Sequence, residues 1–204
     1  MSGVLSGIKP VDAKIIDLLS DYELGKVCLA NKYVNGICKD DNFWMNRTSR
    51  VFGPILGSIE ELKTYKEDRN WKDFYQYLAI LTNHKMETWL QMGIFDVKLI
   101  KELWDFTSDI NSYKDEKMRI ITYKIADYFM QKFIRTLVKD VRRQDEILAG
   151  ISEEGLVSIK NLIQWTNRGT FTANYFTQEE REIMQKISFY GMRFNTPIMT
   201  IFTN

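Results

Sequence analysis

The chain has 204 residues, is 45% hydrophobic with only three prolines, and carries a formal net charge of +1. A chain of this length buries a core without staples, and this composition excludes a disordered polymer. The near-neutral balance disfavours a protein held to nucleic acid by a global basic field, while leaving local patches open.

The first segment, Met1-Ser-Gly-Val-Leu-Ser-Gly-Ile-Lys9, lacks the basic start and apolar core of a signal peptide. Helices are expected over 12–19, 21–38 and 42–51. Ile15, Leu18 and Leu19 form a short apolar face, and Leu24, Val27, Cys28, Tyr33, Val34 and Ile37 continue it at helical spacing. Ser20-Asp-Tyr-Glu23 fits a capping box, in which the hydroxyl and the glutamate each satisfy a free backbone N–H. After the acidic turn Asp40-Asp41-Asn42, Phe43 and Trp44 would close a small core. Three short helices bury too little to be robust alone, so they must dock on the rest of the chain or on a partner. Cys28 and Cys38 are too few for a disulfide framework, and a bridge between two positions of one helix is awkward. They read as reduced, small, buried side chains in a reducing compartment.

Residues 10–53 resemble an F-box. Pro10, Leu18, Leu19, Glu23-Leu24, Val27, Ala30, Tyr33, Ile37, Asp40, Asp41 and Trp44 fall where that family has its proline-led helix, Leu pair, acidic-Leu start, apolar ladder and acidic turn before tryptophan. Asn31-Lys32-Tyr33, Asn35, Ile37-Cys38 and Asp-Asp-Asn-Phe-Trp44 are similar to F-box-like proteins of giant DNA viruses of amoebae. Lys9-Pro10 stands in place of the usual Leu-Pro opening, and Asp12 is the acidic residue that follows, both at positions where the family meets its partner. The resemblance implies a ubiquitin-ligase adaptor: the module docks on a Skp-type adaptor of a cullin ligase, and a second region presents a target. It implies Pro10, Ile15, Leu18, Leu19, Leu24, Val27 and Trp44 as partner-binding residues. The bland alternative is that this stripe is simply the core of a helical subdomain. A further alternative is a structural or assembly component of a large viral particle that keeps the fold as a packing module. The implied location is intracellular, the cytoplasm or nucleus of a host cell if the source is viral, or the virion.

Beyond Gly53-Pro54, which reads as punctuation, helices are expected over 58–66, 71–82, 85–92, 96–107, 115–145, 153–167 and 178–193. Ser58-Ile-Glu-Glu61 and Thr177-Gln-Glu-Glu180 are further capping boxes, and Ser152 before Glu153-Glu154 suits a helix start. The long segment 115–145 is apolar over Ile120, Tyr123, Met130, Ile134, Leu137 and Val138, widened by Ile121, Ile125, Phe129 and Phe133, as in a helix central to a bundle. Its remaining face carries Lys117, Lys124, Lys132, Arg135, Lys139 and Arg142. That stripe could meet phosphates, the basis of a weaker nucleic-acid reading, or be a solvated face balanced by Asp127, Asp140, Asp145 and Glu146. Extended pieces are candidates only at 170–176 and 197–202. The aromatics Phe171, Tyr175, Phe176, Phe189, Tyr190, Phe194 and Phe202 would cap the core or form an exposed patch.

The fold class expected is all-α, with a module at 1–54 packed on an irregular helical domain at 55–204. No catalytic constellation stands out. The single histidine, His84, has no second His or Cys at ligand spacing, and no phosphate-binding loop, dinucleotide fingerprint or nucleophile elbow is present. Neither enzyme activity, cofactor nor metal is expected. No apolar run approaches the roughly 20 residues that span a bilayer.

Overall fold

Side-chain caps set most of the described helix starts. In the computed structural model, which describes residues 5–108, 115–140, 142, 144–168 and 177–193, the described residues form twelve helices and no strand. The all-α class is thus correct. The two extended candidates at 170–176 and 197–202 lie outside the described residues.

α1 (Lys9–Asp17) starts three residues earlier than expected. Pro10 sits in its first turn, where a fixed φ and a missing N–H suit the helix. α2 (Asp21–Ala30) opens on the Ser20–Glu23 capping box. The expected continuous helix over 21–38 is broken at Asn31, whose side chain accepts from the Tyr33 and Val34 N–H groups at 2.9 and 3.2 Å and starts α3 (Lys32–Cys38). A short amide that can bond the backbone locally competes with the helix at this point. α4 (Asp41–Leu56) is capped by Asp40, carries Pro54 within it rather than stopping before it, and ends at Gly57 with φ 106°. α5 (Ile59–Lys66) opens on the Ser58–Glu61 box, and Asn70 caps α6 (Trp71–Leu81). A left-handed turn at Asn83 and His84 then leads to α7 (Met86–Gln91).

The chain divides into two compact units, Met1–Leu90 and Gln91–Asn204. The division therefore falls after Leu90, not at residue 54 as the F-box likeness suggested. The reason is packing. Phe43, Trp44, Val51 and Phe52 on α4 are buried, as are Phe74, Tyr75 and Leu78 on α6. The Tyr75 ring lies 5.3 Å from Trp44 and 5.9 Å from Phe52. Short helices α1 to α3 complete their core with α4 and α6, so none of these elements is a free-standing module.

The second unit contains α8 (Val97–Ser108), α9 (Glu116–Lys139), α10 (Gln144–Gly150), α11 (Glu153–Arg168) and α12 (Gln178–Arg193). α9 is central here: Ile121, Ile125, Phe129, Phe133 and Leu137 are all buried, and it packs against α8, α11 and α12. It ends at Lys139, not at 145. The Gln144 side-chain amide donates to the Leu137 carbonyl at 3.0 Å, supplying a partner for one of the carbonyls a helix end leaves open. The Thr177–Glu180 box forms at the start of α12, with hydrogen bonds of 3.2 and 2.9 Å. Gly155 lets α11 approach α8, since a Cβ there would lie 2.8 Å from Ile151 and 3.4 Å from Val97.

Candidate functional site

The first unit is organised around one arginine. On α4 the buried positions Phe43, Trp44, Arg47, Thr48, Val51 and Phe52 recur at helical spacing, and Arg47 is the charged member of that stripe. Its guanidinium is fully buried. It donates to the main-chain carbonyls of Asp17 and Leu19, the latter at 2.8 Å, and to the carboxylates of Asp17 and Asp21 at 3.3 and 2.9 Å. It also lies over the Tyr75 ring, 5.2 Å from the centroid. The two carbonyls belong to the end of α1 and the turn that follows, so Arg47 satisfies groups that a helix C-terminus leaves open. Arg50, one turn on, binds the Asp17 carboxylate at 2.5 Å and Glu87 at 2.8 Å.

Asp21 is the meeting point of this cluster. Burial alone would raise its carboxyl, but the Tyr75 hydroxyl at 2.6 Å, His84 Nδ1 at 2.7 Å and Arg47 outweigh that and hold it below the usual carboxylate range. Burial opposes the charge on Arg47, yet the surrounding Tyr75, Asp21 and Glu87 keep its proton more firmly bound than usual. Asp12 is a second buried carboxylate. Burial would raise it, and hydrogen bonds from the Ser6 and Gly7 N–H groups and the Ser6 and Tyr33 hydroxyls, at 2.7 to 2.9 Å, prevail and lower it. It fastens the chain ahead of α1 to α3.

With both corners fixed, α1 presents an apolar outer side. Leu18 is 75% exposed and Ile8 59%, with Val11 at 45%. Pro10 is exposed, and Ile15, Leu19 and Val27 are partly exposed. Tyr22 and Leu29 on α2 are also exposed. The predicted partner-binding set therefore divides in two. Pro10, Ile15, Leu18, Leu19 and Val27 reach the surface. Leu24 and Trp44 are buried at 2% and 7% and serve the core, with the Trp44 indole N–H donating to the Cys38 carbonyl at 2.7 Å.

The cysteines differ from expectation. Cys28 and Cys38 form a disulfide, with Cα atoms 6.0 Å apart. The break at Asn31 turns α3 back along α2 and removes the continuous helix that made a bridge awkward. The basic stripe also changes. Lys117, Lys124, Lys132, Arg135 and Lys139 lie on α9, but Arg142 follows the end of that helix. Arg135 pairs with Glu180 at 3.2 Å, and Lys132 lies over the Tyr128 ring. Phe171, Tyr175, Phe176, Phe194 and Phe202 fall outside the described residues, as do the side chains of Phe189 and Tyr190.

Sequence reasoning missed Arg47 and its partners. The available signal was an arginine inside an apolar stripe, four residues before Val51 and three after Trp44. Among the described residues, no group of three His, Cys, Asp or Glu side chains could hold a metal, and no helix is long and apolar enough to cross a membrane. No protein-family model, curated protein or solved structure matches the chain.

Proposed function

We propose that the chain is a non-enzymatic interaction adaptor. Its α1 face docks on a Skp-type adaptor of a cullin ubiquitin ligase, and its second unit presents a target. The observation that supports this is the outer side of α1, where Ile8, Val11 and Leu18 are exposed on a helix whose two ends are fastened by Asp12 and Arg47. A rigid helix with an uncovered apolar side suits helix-face recognition, and rigidity lowers the ordering cost of binding. The substitution of Lys9-Pro10 for Leu-Pro would alter the rim of that contact without removing its apolar centre. A pull-down with purified Skp-type adaptor tests the proposal. Wild type should bind stoichiometrically, and a Val11→Asp, Leu18→Asp double variant should fold yet lose binding, since both side chains are exposed. Equal capture of both proteins would reject the α1 face, and no capture of wild type would reject the adaptor.

A second reading is a structural or assembly role in a large viral particle. The Cys28–Cys38 disulfide supports it, because disulfides persist on virions and other oxidised surfaces and are rare in the cytosol. In that role the same α1 side would be covered by a neighbouring subunit.

A further inference from the structure

A cavity of about 340 Å³ lies within the first unit, between α2, α3, α4 and α6. Ligand pockets span roughly 300–1,000 Å³, so this volume suits a small molecule. No residue of α1 lines it. Whatever it binds is therefore separate from the docking face proposed above.

Its inner wall is mostly apolar. Leu24, Cys38, Trp44 and Tyr75 are all buried side chains that line it. The disulfide joins α2 to α3 along the same wall, since both cysteines line the cavity. The disulfide is scaffold here rather than reagent. Cys28 and Cys38 each sit in the last turn of a helix, so the bridge ties the end of α2 to the end of α3.

The mouth has a different character. Leu29, 87% exposed, stands there as an uncovered apolar side chain. Lys39 and Lys72 line the same opening, are exposed, and make no side-chain ion pair among the described residues. The anionic group at the cavity, Asp21, is already engaged by Arg47, Tyr75 and His84. Among the residues that line the cavity, the charge left without an ion pair is thus positive. The side-chain amide of Asn35 donates to the Cys28 carbonyl at 2.9 Å, which leaves its own oxygen available to a donor.

We propose that this cavity binds a small organic anion, a molecule with a flat apolar body and one carboxylate, sulfonate or phosphate group. The body would lie against Trp44 and Tyr75 and cover Leu29. The anion would sit between Lys39 and Lys72, where each ammonium can donate to it. Chemistry of this kind favours an anion over a cation or a neutral hydrocarbon.

The probe is the aromatic sulfonate 1-anilinonaphthalene-8-sulfonate, with the uncharged N-phenyl-1-naphthylamine as its partner. Fluorescence titration of the full chain should show saturable binding of the sulfonate at a single site. Lys39→Gln with Lys72→Gln should weaken the sulfonate by about tenfold, or about 1.4 kcal/mol, and leave the uncharged probe unchanged. Gly25→Leu should abolish binding of both, because Gly25 lines the cavity and a Cβ there meets nothing within 4 Å, so the variant folds with its mouth filled. Leu18→Asp should change neither. Unaltered sulfonate affinity in the lysine and glycine variants would overturn the proposal. So would loss of binding in Leu18→Asp, which would put the dye on the α1 face instead.

Discussion

Arg47 is the residue on which the first unit turns. Its hydrogen bonds reach back to Asp17, Leu19 and Asp21, so one side chain holds the α1–α2 corner against α4. Removing one partner from a buried ionic group leaves the other charges uncompensated, at a cost of about 3–5 kcal/mol. Arg47→Ala should lower the unfolding free energy by that amount, read as a lower denaturation midpoint at an unchanged slope. Arg50→Ala should cost much less, about 1 kcal/mol or below, because its guanidinium is 36% exposed and solvent screens its pairs. Denaturant titration of the two variants side by side checks this; equal losses would mean that Arg47 is not the keystone. The local sequence marks Arg47 only as an arginine inside an apolar stripe and says nothing of its partners. Asp17 and Asp21 look like ordinary solvated charges on short helices, and their partner is about thirty residues further on, a separation that periodicity does not read. Leu18 and Leu24 show the same limit from the other side. Both belong to one apolar pattern, yet one is 75% exposed and the other 2%.

At the scale of elements, the signals that are local in sequence were legible. The capping boxes at Ser20, Ser58 and Thr177 all form, because each needs only residues three apart. Asn31 was harder. An asparagine within an apolar-periodic stretch is compatible with a continuous helix, and only the fold shows its side chain capping α3 instead. That one break determines the fate of both cysteines. With the disulfide closing a short loop, loss of the crosslink should destabilise the unit by about 2–3 kcal/mol through the freedom returned to the unfolded chain. A Cys28→Ser, Cys38→Ser variant, compared with wild type in thermal melting without reductant, should melt lower. Reductant should lower wild type alone. An identical melting temperature for both proteins without reductant would show that the bridge adds nothing.

For the molecule as a whole, the helical class was readable from composition and periodicity, while the division of the chain was not. The F-box likeness drew a boundary near residue 54, but α6 supplies Phe74, Tyr75 and Leu78 to the same core, and the unit runs to Leu90. Local motifs do not report which helices share a core. The buried carboxylates give this unit an acid-sensitive stability. Asp12 and Asp21 are held below their ordinary value of 3.8 in the fold, so the unfolded chain takes up protons first as pH falls. Their contribution is complete above about pH 4 and is lost as pH falls through the lower folded-state values. Melting temperature should therefore drop below about pH 4, and Asp12→Asn should flatten the drop while lowering stability at neutral pH. A pH profile unchanged in the variant would mean that Asp12 is not a source of the acid sensitivity.

The central claim is that the outer side of α1 is a docking face. Hydrogen exchange of the full chain, with and without a Skp-type adaptor, tests it most directly. Added protection is expected over residues 8–19, with α6 and α9 unchanged. No added protection anywhere, or protection centred on the Lys117–Lys139 stripe of α9, would contradict it.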